Sequence, residues 1–137
     1  MTEPAAAFQI LQPAGWARPR GYVNGISVRG RQIFLAGQIG WDDQCRFRSA
    51  RLADQVRQTL ENIVALLAEA AARPEHIVRL TWYVTSRNEY HEQLAEIGFA
   101  YRAVLGKHYP TMAVLQVVAL MEADAKVEIE ATAVIPD

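Results

Sequence analysis

Two carboxylates, Glu128 and Glu130, stand two residues apart in a run where Lys126, Glu128, Glu130 and Thr132 alternate with Val127, Ile129, Ala131 and Ala133. A period of two marks a strand with one buried and one polar face, so both carboxylates project from the same side. Turned into a cleft, such a glutamate orients a water or accepts a proton; on the polar face of a half-covered strand it is merely solvated. The spacing leaves both readings open. Three histidines, His76, His91 and His108, share no spacing that puts two on one face, and no cysteine joins them, so no metal site is expected. Cys45 has no base placed beside it and reads as an ordinary loop side chain. Asp42 and Asp43 are adjacent and point apart in extended chain, which suits a solvated loop better than an acid/base pair. Gly37-Gln38-Ile39-Gly40 lacks the further glycine and helix start of a phosphate-binding loop. Trp41, Trp82, Tyr83 and Tyr101 are read as core in preference to pocket lining.

The elements that position these groups follow from periodicity. Residues 1–20, with Pro4, Pro13 and Pro19, form an irregular arm, and residues 21–137 a single domain. Val23 to Val28 and Gln32 to Ala36 are β-branched and apolar runs around Arg29-Gly30-Arg31, a hairpin signal. Leu52, Val56, Leu60, Ile63, Val64, Leu67 and Ala71 recur at helical spacing, and Arg73-Pro74 stops that helix. His76 to Thr85 is a strand with Val78, Leu80, Trp82 and Val84 on one face. Ser86 and Glu89 form a capping box for a second helix, whose stripe is Tyr90, Leu94, Ile97, Tyr101 and Val104 or Leu105, and which Gly106 closes. Ala113 to Leu120 and Val127 to Val134 are two further strands joined by the charged turn Met121 to Ala125. The expected class is α/β with a mixed sheet and two helices on one face.

Composition narrows the functions. The net charge is −1, so nothing drives the chain as a whole toward phosphate backbones or anionic membranes. One cysteine and the absence of a signal-peptide pattern place the protein in the cytoplasm. Apolar residues make up 51% of the chain, at the upper edge for a soluble domain, which favours burial in an assembly.

Four segments, Gly21-Tyr22-Val23-Asn24-Gly25, Ala36-Gly37-Gln38-Ile39-Gly40, Gln58-Thr59-Leu60-Glu61-Asn62-Ile63 and Lys126-Val127-Glu128-Ile129-Glu130-Ala131, resemble in order the signatures of the RidA (YjgF) family, over about Gly21 to Val134. The resemblance implies a chorismate-mutase-like fold and a homotrimer around a central β-barrel, with small-molecule clefts at the subunit interfaces. It also implies cofactor-free hydrolysis of reactive enamines and imines. Matched position by position, Glu128 positions the water and Tyr22 lines the cleft. Gly37 and the backbone at Val114 hold the substrate, while Met112 and Trp41 wall the cleft. Met112 stands where archetypal members carry the arginine that grips the substrate carboxylate, and methionine offers no donor. Arg102, Lys107 or a residue of a neighbouring subunit are the candidates to supply that charge. The expected activity is therefore deamination of an enamine or imine other than 2-aminoacrylate; the alternative is a trimer that binds a small metabolite without turnover. Ribonuclease activity is attached to some family members, but the balanced charge and the lack of a basic aromatic stripe argue against it here.

Overall fold

A computed structural model describes residues 8–137. In chain order the elements are β1 (Phe8–Ile10), β2 (Ile26–Val28), β3 (Gly30–Ile39), α1 (Leu52–Glu69), a 3₁₀ turn (Pro74–His76), β4 (Ile77–Val84), α2 (Arg87–Glu92), α3 (Leu94–Leu105), β5 (Thr111–Gln116) and β6 (Val127–Pro136). Four strands make one mixed sheet in the order β3-β6-β4-β5, and β1 and β2 form a separate antiparallel pair. Only β4 and β5 run parallel, as a strand-helix-strand crossover requires.

The helical layer covers one face because α1 is amphipathic: Leu52, Val56, Leu60, Ile63 and Leu67 are all fully buried. They meet Leu80, Trp82 and Val84 of β4 and Val127, Ile129, Ala131 and Ala133 of β6 in one core. The same core encloses Gln55, whose amide Nε2 donates to the carbonyls of Ser49 (3.1 Å) and Asp124 (2.9 Å) while its Oε1 accepts from the Lys126 amide (2.8 Å). All the hydrogen bonds its burial demands are thus made, and they tie the loop before α1 and the loop before β6 to the helix. Gly40 lets α1 approach this closely, since a Cβ there would stand 2.6 Å from that of Gln55.

Several expectations need correction. The segment around Gly30 is not a hairpin: β2 pairs with β1 inside the expected arm, and β3 pairs with β6. Gly30, at φ +153°, is needed for close approach instead, because a Cβ would lie 2.0 Å from the Ile135 carbonyl oxygen. Residues 1–7 of the arm lie outside the described residues. The last two strands are not neighbours, since β4 lies between them. A register shift between Ile77 and Arg79 buries Ile77 in place of Val78. The second expected helix is two, so three helices cover the sheet; the break falls at Gln93, whose side-chain Oε1 accepts from the Ala53 amide in the first turn of α1. Half of the capping box forms: Ser86 Oγ accepts from the Glu89 amide, but the Glu89 carboxylate pairs with Lys126 Nζ at 2.8 Å. The first helix ends before Ala71, which adopts φ +56°.

Replacing Gln55 by leucine removes three hydrogen bonds from part-buried backbone groups and is expected to destabilise the protein by about 1–3 kcal/mol, measured by urea denaturation. Unchanged stability would show that those backbone groups find water instead.

Candidate active site

The sequence-derived site residues fall into two sets. Glu128 lies on β6 opposite Tyr83 of β4 and Ile39 of β3, alternating with buried Val127 and Ile129, so its side chain stands on the face the helices leave uncovered. Its carboxylate occupies the space that a side chain at position 37 would take: a Cβ on Gly37 would lie 2.5 Å from Oε2. Gly37 therefore admits the carboxylate of Glu128 against the β3 backbone, next to the register shift between Leu35 and Gln38. Glu130, on the same face, accepts from the Tyr83 hydroxyl at 2.7 Å, and this bond, with burial and the negative charges of Glu130 and Glu128, raises the Tyr83 pKa.

The other set lies on the helix side. Met112 and Val114 of β5 pair with Leu80 and Trp82 of β4, whose side chains point into the core. Together with Tyr22 they line a cleft of about 760 Å³ between β5 and α3. Tyr22 is held there by its neighbour Val23, whose amide donates to the Pro110 carbonyl at 3.2 Å. The far wall is a stack in which Tyr101 lies 6.4 Å from Trp82 and 5.5 Å from Tyr109, ring centroid to ring centroid. Burial, and secondarily the neighbouring Tyr109, push the Tyr101 pKa well up, and its hydroxyl donates to the His108 carbonyl at 2.5 Å. Trp82, Tyr101 and Tyr109 thus serve core and cleft at once.

One protomer does not unite these sets. β6 and β5 are separated by β4, about 10 Å at ordinary strand spacing, and the side chains of Glu128 and Met112 leave opposite faces of the sheet. Nor does Trp41 wall a cleft with Met112: it lies beyond β3, pairs with Phe47 at 5.8 Å, and its carbonyl accepts from Asn62 Nδ2. Of the two cationic residues named from the sequence as possible carboxylate partners, Arg102 lines the Met112 cleft and Lys107 does not. The signal that could have placed Arg102 is helical spacing, because Leu94, Ile97, Gly98, Tyr101 and Arg102 share one side of α3.

The remaining candidates have structural roles. His76 Nδ1 accepts from the Arg73 amide, His108 Nε2 lies 2.7 Å from the Ile77 carbonyl, and Cys45 is exposed in a tight turn at φ +59°. Asp42 organises that turn. Its carboxylate accepts from Arg48 Nε at 2.6 Å and from the amides of Arg46 and Gln44, which lowers its pKa from 3.8 to about 2, the Arg48 bond contributing most.

The architecture is that of an α/β protein whose single mixed sheet is covered by helices on one face, with a carboxylate set against a glycine on the other and an aromatic cleft at the edge. The chain belongs to the Endoribonuclease L-PSP family, that of the RidA (YjgF) proteins, whose family model matches residues 16–135. It is 34% identical to the putative reactive intermediate deaminase TdcF of Escherichia coli over 82% of this chain and 85% of that protein. The structure of TdcF with bound serine superposes with a TM-score of 0.67 over 88% of this chain and 91% of that one, at 33% identity. The 2-iminobutanoate/2-iminopropanoate deaminase of E. coli is 32% identical over 82% of this chain and 86% of its own length. The Rid-family protein YyfB of Yersinia pestis, of unknown function, matches 95% of this chain and all of its own at 27% identity, with a TM-score of 0.81. Among the described residues no helix is long and apolar enough to cross a membrane.

A folded-state pKa below the ordinary value means that Asp42 stabilises its turn above about pH 4 and that this contribution disappears as the pH falls toward 2. Trp41, packed at a tilt against Phe47 beside the same turn, is expected to report a fluorescence change over that interval which Asp42→Asn abolishes; a transition that survives the substitution would assign it to another group.

Proposed function

We propose that this protein is a cofactor-free deaminase that hydrolyses an enamine or imine metabolite other than 2-aminoacrylate, at clefts between the subunits of a homotrimer. The observation that carries the reading is the carboxylate of Glu128 lodged against the backbone of Gly37 on the uncovered face. A carboxylate held there by the sheet has a fixed position from which to orient a water. The names of the relatives, a reactive intermediate deaminase and a 2-iminobutanoate/2-iminopropanoate deaminase, support the reaction class.

In this reaction the water held by Glu128 adds its oxygen to the iminium carbon and passes a proton to the carboxylate. The tetrahedral adduct then breaks its C–N bond, ammonia leaves with the returned proton, and a ketone or 2-oxo acid remains. Backbone amides near Gly37 and Val114 polarise the reacting group, and Tyr22 hydrogen-bonds the substrate. Trp41 lines the approach on the Gly37 side and Met112 supplies an apolar wall on the other.

The division of the site residues between two faces supports assembly, because a second copy must bring its Glu128 and Gly37 to the cleft of the first. The uncovered face also carries Phe34, 71% exposed, and Leu115, 46% exposed, which burial in a trimer with a central barrel would remove from water. A second reading, a trimer that binds a metabolite without turnover, is favoured by the cleft around Met112, whose lining among the described residues contains no acid or base other than tyrosine and arginine.

Ammonia release from imines generated in situ by an amino-acid oxidase separates the two. Glu128→Ala is expected to lower the rate by about 10²–10⁴-fold with the melting temperature nearly unchanged. Gly37→Ala, which displaces the carboxylate, is expected to lower it as well. Equal rates in wild type and Glu128→Ala would remove Glu128 from the mechanism, and ligand-induced thermal stabilisation without product would establish the binding protein.

A further inference from the structure

The cleft between β5 and α3 is much larger than a three-carbon imino acid needs. Its volume of about 760 Å³ falls in the range that accommodates drug-sized ligands. Its walls are chiefly aromatic and aliphatic, with Trp82, Tyr90, Leu94, Tyr101, Tyr109 and Met112 contributing. Among the described residues no carboxylate lines it, whereas two arginines, Arg20 and Arg102, do.

Arg102 is placed as a clamp. It sits on α3 one turn beyond Gly98, and its guanidinium folds back over that glycine: a Cβ at position 98 would lie 3.1 Å from Nη1 and 3.9 Å from both Cζ and Nη2. The missing side chain thus leaves room for the guanidinium on the same side of the helix as Ile97 and Tyr101, where it lines the cleft. Among the described residues Arg102 forms no ion pair, although Arg48, Arg51, Arg57 and Arg73 each pair with an acid. Arg20 stands on the bend before Gly21 and has no helix to fix it.

We infer that Arg102 takes over the carboxylate-binding task at a new place on the cleft wall, and that the substrates are 2-imino acids with an aromatic or comparably bulky apolar side chain. The inference rests on the deaminase reading for its reaction, but its recognition step stands on the cleft alone. The guanidinium forks onto the carboxylate, the side chain lies along the Trp82, Tyr101 and Tyr109 stack, and Met112 provides apolar contact where a second cation would leave the bulky group nothing to pack on. A three-carbon acid would satisfy Arg102 and leave the aromatic wall wet.

Binding of unreactive 2-oxo acids tests recognition apart from turnover. In isothermal titration, phenylpyruvate is expected to bind the full-length wild-type protein at least about 10-fold more tightly than pyruvate, because only phenylpyruvate buries an aromatic ring. Arg102→Gln is expected to weaken phenylpyruvate about 10- to 100-fold, the loss of a charge-assisted fork. Arg102→Lys should recover only part of that loss, and Arg20→Gln should leave it unchanged. Phenylacetone, which keeps the ring and lacks the carboxylate, should bind wild type and Arg102→Gln alike, a control that a misfolded variant would fail. Undiminished binding of phenylpyruvate to Arg102→Gln overturns the inference, as does a loss confined to Arg20→Gln, an equal affinity for pyruvate, or no binding at all. Failure of the deaminase reading looks different: phenylpyruvate binds through Arg102, yet the corresponding imine loses ammonia no faster than in buffer.

Discussion

The side chains of β6 alternate between the helical layer and an uncovered face, and β6 pairs with both β3 and β4, so a slip of one residue would exchange Ile129 for Glu128 in the core. Four fully or nearly fully buried positions, Val127, Ile129, Ala131 and Ala133, forbid that slip, because each would surrender its apolar contacts while a carboxylate lost its water. The same register sets Glu128 beside Gly37 and Glu130 beside Tyr83. One carboxylate is thereby placed against bare backbone and the other is occupied by a phenol, although the sequence around them is nearly symmetric.

The local periods were readable from the chain. The strand alternation of β6, the stripe of α1, the Ser86 cap and the Gly106 stop all follow from short-range chemistry, and the structure has them. Pairing was less readable, because it depends on contacts distant in sequence: β4 enters between β5 and β6, and the glycine that suggested a turn at position 30 serves a close approach to the Ile135 carbonyl. The break at Gln93 had the same kind of cause, since its side chain is used to satisfy an amide of α1 about forty residues away. Motif order singled out Tyr22, Gly37, Met112, Val114 and Glu128 as candidates. It carried no information that the sheet divides them between two faces, because the face of β5 is set by its parallel register with β4.

That division joins the substitution at position 112 to the question of substrate. Met112 reads in sequence as the loss of a charged contact. In the fold it belongs to an aromatic wall, and α3 carries an unpaired guanidinium over Gly98 on the same cleft. With Arg102 as the proposed carboxylate anchor, the charge stands on α3 rather than β5 and leaves the aromatic wall free for a larger side chain. In the proposed reaction the reacting end depends on assembly, with Glu128 brought to that cleft by a second copy.

Subunit complementation tests that dependence most directly. Glu128→Gln and Arg102→Gln chains, coexpressed with different tags and purified as mixed assemblies, are each inactive alone on a bulky 2-imino acid generated in situ. If Glu128 and Arg102 act in one site from neighbouring protomers, every mixed trimer restores both groups in about a third of its sites, and ammonia release recovers accordingly. Mixed assemblies no more active than either parent would contradict the account, because both groups would then have to come from one chain.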